Sequence, residues 1–211
     1  MTEYLTEQEQ IQQLKTWIKQ YGVTILAGIV IAVVITSGWH YYQNHRNKVL
    51  LHASAVYDEM LTLRAQNNTK DSIVQAKKLL RHYSNTPYAQ MAALMIARDA
   101  ALNKNYSEAA TQLTWVIDHS KDRSLREIAR TRLSRILIEE NKPDDALHLL
   151  KKLDDANFIG LVDEIRGDAY LAKNDRAAAR TAYGLALNEI PNAEETRPIL
   201  QMKYDNLATN N

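Results

Sequence analysis

The stretch GLVDEIRGDAYLAKNDRAAARTAYGLALNEIPNA, residues 160–193, decides the fold. It reads as two helices joined by a polar turn at Lys173-Asn174. Gly167 and Tyr170 stand in the first helix, Ala179, Tyr183 and Ala186 in the second, and Pro191 after it. Small residues such as Gly167 and Ala179 belong where two antiparallel helices touch, and larger ones such as Tyr170 and Tyr183 fill the space between helix pairs. Pro191 lacks the amide that would continue the second helix, so it is expected to end the unit.

These six residues fall at the spacings of the 34-residue tetratricopeptide (TPR) pattern. Only its opening Trp-x-x-Leu is missing, with Asp163 and Arg166 at those places. The same phase continues upstream. Ala146 lies 33 residues before Ala179, Ala109 lies 37 before that, and Ala76 lies 33 earlier still. Polar turns punctuate the units at Asn67-Asn68, Asn103-Lys104-Asn105 and Asn141-Lys142-Pro143, as helix-stop and helix-start signals should. The 37-residue step places a longer loop at 118–124. A generic bundle of amphipathic helices is the competing reading, but a bundle has no reason to repeat near 34 residues. The expected fold is all-α: one N-terminal transmembrane helix, then a TPR-like α-solenoid of about four helix pairs. Those pairs map to 71–85/88–102, 106–118/124–140, 144–153/159–173 and 176–189. A last helix at 198–208, opening on Pro198, is expected to cap the open end.

Working outward, 21–39 reads YGVTILAGIVIAVVITSGW, without one charge. At 1.5 Å per residue it spans roughly 28 Å, close to the hydrocarbon thickness of a bilayer. Trp17 and Tyr21 flank one end, and Trp39, Tyr41 and Tyr42 the other, in the aromatic-belt pattern of a helix that stays in the membrane. The alternative is a cleaved signal peptide processed at Thr36-Ser37-Gly38. A largely polar segment of twenty residues ahead of the apolar run and bulky Trp39 behind it argue against that. Thr24, Gly28, Ala32 and Thr36 recur every four residues and share one face, which a second helix could approach closely. The expected organisation is a short tail over 1–20, the transmembrane helix over 21–39, a juxtamembrane helix over 40–66, and the repeat domain over 67–211.

Charge excludes one class of partner. The chain has 26 Lys and Arg against 25 Asp and Glu. Residues 1–48 hold four basic and three acidic groups, leaving 22 of each beyond. A soluble part with no net charge is a poor polyanion binder, so no nucleic acid is expected. Two basic residues flank each end of the span, so the positive-inside count does not orient it. The absence of cysteine excludes a disulfide, a thiolate nucleophile, a Cys-ligated zinc and an N-terminal lipidated Cys.

In TPR domains the first helix of each pair lines the groove. Carried over by phase, that face gives Met91, Leu94, Arg98 and Ala101; then Ile128, Thr131, Arg135 and Ile138; then Leu161, Glu164, Asp168 and Leu171. An apolar groove with two Arg and two acids suits an extended or helical peptide. Arg123, Arg126 and Arg130 stack on one helix, but with Asp122 and Glu127 beside them they read as a solvated mixed-charge face.

Nothing announces catalysis. No two of the six His lie three or four residues apart, and there is no Gly-rich phosphate loop and no Gly-x-Ser-x-Gly elbow, so no metal, cofactor or small-molecule substrate is expected. The adjacent carboxylates Asp144-Asp145 and Asp154-Asp155 fall at turns, where helix capping accounts for them. The protein is expected to be no enzyme.

With anchor and repeats placed, the chain resembles the YfgM-like ancillary subunit of the bacterial Sec translocon. The resemblance rests on Gln8, Leu14-Lys15-Thr16-Trp17, Tyr21-Gly22, Gly28 and Gly38-Trp39, and on Pro198-Ile199-Leu200-Gln201-Met202-Lys203-Tyr204-Asp205-Asn206-Leu207 at the other end. It implies a cytoplasmic N-tail and a periplasmic repeat domain in a bacterial inner membrane. It also implies association with SecYEG and the membrane-anchored chaperone PpiD, and a role in handing exported client proteins to periplasmic chaperones. A TPR scaffold of another cell-envelope complex, in division or envelope assembly, is the alternative.

Overall fold

The computed structural model of the chain describes residues 7–153, 156–189 and 197–207. Among these, α1 is one helix of 59 residues, Glu7–Ala65. It is followed by α2 (Thr69–His82), α3 (Pro87–Leu102), α4 (Tyr106–His119), α5 (Arg123–Glu139), α6 (Pro143–Leu150), α7 (Ile159–Ala172), α8 (Arg176–Glu189) and α9 (Arg197–Asp205). A short 3-10 turn, Ala156–Phe158, precedes α7. The chain divides into two units, 1–51 and 52–211.

In the first unit α1 carries an apolar window of mean hydropathy 2.1, none of it buried. Rings pair at both ends of the charge-free run 21–39, Trp17 with Tyr21 at 6.0 Å and Trp39 with Tyr42 at 6.4 Å. The Thr36 hydroxyl returns to its own helix, donating to the carbonyls of Ala32 (2.9 Å) and Val33 (3.1 Å). That satisfies its polar group inside the helix, as an apolar solvent demands.

In the second unit the repeat shows itself in the backbone. Asn67, Lys104, Asn141 and Asn174 alone among described non-glycine residues have positive φ, between 57° and 63°. Each closes a helix in the same way. The amide of the following residue donates to a carbonyl five back, Asn68 to Leu63, Asn105 to Ala100, Lys142 to Leu137 and Asp175 to Tyr170, at 2.8–2.9 Å. That is the Schellman closure of a helix C-terminus. In three of the four turns the donor residue is also the N-cap of the next helix. Asn68, Asn105 and Asp175 accept amide hydrogen bonds from Asp71, Glu108 and Ala178. At the fourth, Pro143 follows Lys142 as first helical residue, where its missing amide costs nothing.

These turns fix the pairs as α1/α2, α3/α4, α5/α6 and α7/α8. The first helix of the first repeat is therefore the end of α1, with Ala53, Val56 and Met60 buried. Two expectations change. The pairs begin one helix earlier than mapped, at the end of α1, so 71–85 with 88–102, that is α2 with α3, is a junction between repeats. The first repeat also shifts by one helical turn. Ser72, not Ala76, occupies the place of Ala109, Ala146 and Ala179, five residues beyond the turn, and its hydroxyl donates to the Met60 carbonyl at 3.1 Å. The spacing is thus 37, 37 and 33 residues. First helices of 16 and 17 residues, α3 and α5, against 14 in α7 supply two and three of the four extra residues, and only residues 120–122 separate α4 from α5, so no long loop lies there.

Core volume is shared across each pair. Met60 packs in one cluster with Ala76 and Ala97 in another with Leu113, while Gly167 faces Tyr183. A Cβ on Gly167 would lie 2.2 Å from Tyr183 Cε1. Large meets small at one end of the array and nothing meets large at the other, so the gap is filled each time. The closing helix α9 buries Leu200 against Tyr183, Ala186 and Leu187, with Tyr204 and Leu207 beside it. The Arg180 guanidinium stacks on the Tyr204 ring at 4.4 Å. Pro191, Asp154 and Asp155 lie outside the described residues.

Candidate protein-binding site

The sequence placed twelve candidate groove residues on the first helices of the repeats, and their surroundings separate them; Ala101 is half-buried against the cluster around Leu113. Thr131 is 4 % exposed and its hydroxyl donates to the Ile128 carbonyl at 2.9 Å, so it belongs to the core and presents nothing. Leu94 packs on the cluster around Leu113, and Ile138 and Leu161 cover Leu150, Val162 and Ile165. Met91, Arg98, Arg135 and Leu171 are exposed, and Ile128, Glu164 and Asp168 half-buried.

The two acids are engaged from within the chain. Lys203 Nζ on α9 donates to Glu164 Oε1 at 2.9 Å and Asp168 Oδ1 at 2.8 Å. The buried Tyr183 hydroxyl also donates to Asp168 Oδ1, at 2.8 Å. Arg135 reaches the other Glu164 oxygen at 3.6 Å. Burial, and then the bond to Asp168, push the Tyr183 phenol far above its ordinary value. For Lys203 burial works downward, but the bonds to Asp168 and Glu164 outweigh it and the ammonium is held above the usual lysine value. No sequence pattern announces this network, because Lys203 is 39 and 35 residues from its partners.

Arg98 and Arg135 do meet. They share a pocket of about 490 Å³ between α3, α4 and α5, together with Arg132, Glu139, Leu102 and Tyr106. Sequence phase missed Arg132 and Leu102 because they lie off the face it selected. Asp99, adjacent to Arg98, is taken by another cation. Arg64 forks onto both of its oxygens, one bond being 2.6 Å, and that bond, countered by burial, raises the Arg64 pKa. A second pocket of about 660 Å³ lies between α6, α7 and α8. Two of its cations are paired across 2.6 Å (Lys173 with Asp144) and 2.7 Å (Arg166 with Asp163).

The Arg123, Arg126 and Arg130 row is no free basic patch. Arg126 donates to the Ser120 carbonyl at 2.9 Å and Arg130 pairs with buried Glu127 at 2.7 Å. Among the described residues no three His, Asp or Glu side chains are placed to hold a metal ion.

These features define a class: a TPR-like helical array whose first helix runs on from a segment long and apolar enough to cross a membrane. The tetratricopeptide repeat-like domain family matches residues 15–209. Proteins described as "Ancillary SecYEG translocon subunit" align along nearly the whole chain. That of Neisseria gonorrhoeae is 32% identical, covering 98% of this chain and 100% of its own. That of Escherichia coli is 28% identical, covering 97% and 98%. The chain belongs to this family of ancillary SecYEG translocon subunits. Among solved structures, MamA residues 41 to the end from Desulfovibrio magneticus is similar, with TM-score 0.55 and 15% identity over 74% of this chain and 89% of that one. This likeness concerns the fold alone.

Proposed function

We propose that the chain is a non-enzymatic adaptor of the Sec translocon, tethered in a bacterial inner membrane by 21–39 with its repeats in the periplasm. The observation that carries this reading is the extent of the likeness. Relatives named as ancillary SecYEG translocon subunits match from the apolar helix through α9, so the anchor is kept together with the array. In such a protein the membrane helix docks on a neighbouring helix through Thr24, Gly28, Ala32 and Thr36, where small side chains allow close approach. The repeats receive a partner on the face of α3, α5 and α7, a PpiD-type chaperone or an exported client, and bring it to the exit of the channel. Catalysis needs a positioned nucleophile, acid–base pair or metal, and the buried charges described above are instead spent on one another.

Two measurements test this. A photocrosslinker at Gly28 in the full chain is expected to capture a translocon subunit, and one at Val34, on the opposite face, to capture much less. Equal capture from both faces would remove the docking face. A reporter fused after Asn211 that works only when exported is expected to be active; activity of a cytoplasm-only reporter would reverse the orientation.

A further inference from the structure

We propose that the pocket between α3 and α5 takes an acidic, apolar-anchored peptide segment of a partner protein. The inference rests on reading the repeat face as a protein-binding surface and names the chemistry of its occupant. From composition the face looks balanced, with two arginines and two acids. The structure removes the balance. Glu164 and Asp168 are held by Lys203 and Tyr183, and Asp99 is held by Arg64. What remains around the pocket is Arg98, Arg132 and Arg135 against the single carboxylate of Glu139. Among the described residues Arg98 and Arg132 make no ion pair, and Arg135 makes only the loose one to Glu164 at 3.6 Å.

Arg132 and Arg135 stand three residues apart on α5, so they project together, and Arg98 faces them from α3. Guanidinium forks suit carboxylates, which they can bind through two parallel hydrogen bonds. Beside them Leu102 is 71 % exposed and borders the pocket with Tyr106, an uncovered apolar surface for one aliphatic side chain. A basic segment would meet three like charges. A purely apolar one would desolvate guanidiniums without pairing them, which is costly. An acidic segment with a leucine-type anchor satisfies both halves of the pocket.

The test uses the full chain in nanodiscs of zwitterionic lipid. The probe is a short fluorescein-labelled peptide of Leu, Ala and Glu, compared with the same peptide carrying Gln for every Glu. At physiological salt, where screening acts over about 8 Å, the Glu peptide is expected to bind about tenfold tighter or more. Arg98→Glu with Arg132→Glu is expected to abolish the preference, and Arg98→Gln with Arg132→Gln to weaken it, both with unchanged helical content. Arg81→Glu on α2 is expected to leave it intact. Equal binding of the two peptides, or a preference lost equally through Arg81→Glu, overturns the proposal. So does an Arg98- and Arg132-dependent affinity for vesicles of anionic lipid in place of the peptide. Crosslinking to the translocon that persists while peptide binding fails removes the pocket alone; peptide binding without crosslinking removes the adaptor reading alone.

Discussion

At Gly167 the missing side chain is a space already filled. A methyl group would sit 2.2 Å from the fully buried ring of Tyr183, so Gly167→Ala is expected to cost about 2 kcal/mol in urea unfolding despite alanine's better helix propensity. Ala97 and Leu113 hold the equivalent places two repeats earlier. Tyr183→Leu should therefore absorb much of the cost of Gly167→Ala, with a coupling of about 1 kcal/mol or more in a double-mutant cycle. Additive losses would contradict the volume argument. Gly184, whose added Cβ would stand 3.3 Å from the half-buried Tyr204 ring, should tolerate alanine to within about 1 kcal/mol. Around the same ring, pH should act with one sign. Tyr183 and Lys203 both hold their protons more tightly in the fold than in the unfolded chain. Their contribution is complete below about pH 10, where both are protonated even when unfolded, and is lost as pH rises toward the folded values. The urea midpoint should hold level from pH 7 to 9 and fall above 10, and Tyr183→Phe should flatten that fall. An unchanged slope in the variant would contradict it.

At the scale of elements, the four left-handed turns set the register of the array. Three carry asparagine, which tolerates that backbone, and the fourth carries Lys104, which gains nothing from it. Lys104→Gly should raise stability by about 0.5–1 kcal/mol, seen as a higher urea midpoint with unchanged slope; a decrease would mean that the turn is held by the side chain. Much of this level was legible beforehand. The charge-free run of 21–39, the asparagine turns and the pattern of 160–193 each carry a direct physical cause, and the closing helix was visible in Pro198, Ile199 and Leu200. The first repeat shifts by a turn because Ser72 and Ala76 are both small and both meet the end of α1, and the left-handed turn at Asn67 with the hydrogen bond from Ser72 to Met60 sets which one matches Ala109. The charge state of the candidate groove was not legible. It depends on Lys203 reaching across from α9 and Arg64 from α1, and phase within one helix carries no information about such distant pairs.

For the whole molecule, two units follow different solvents. Residues 1–51 expose an apolar run that only a membrane or another protein can cover, while 52–211 hold the core clusters. Expressed alone, 52–211 should be soluble, helical and cooperative in urea, and aggregation would mean that the anchor completes the core. The central claim is that the two units serve one machine. Membranes carrying the tagged full chain should be crosslinked, solubilised and affinity-purified, and the co-purifying proteins identified. The account predicts SecYEG subunits among the captured proteins, lost when 21–39 is replaced by an unrelated apolar helix. Their absence from a preparation in which the chain is folded and membrane-embedded would contradict it.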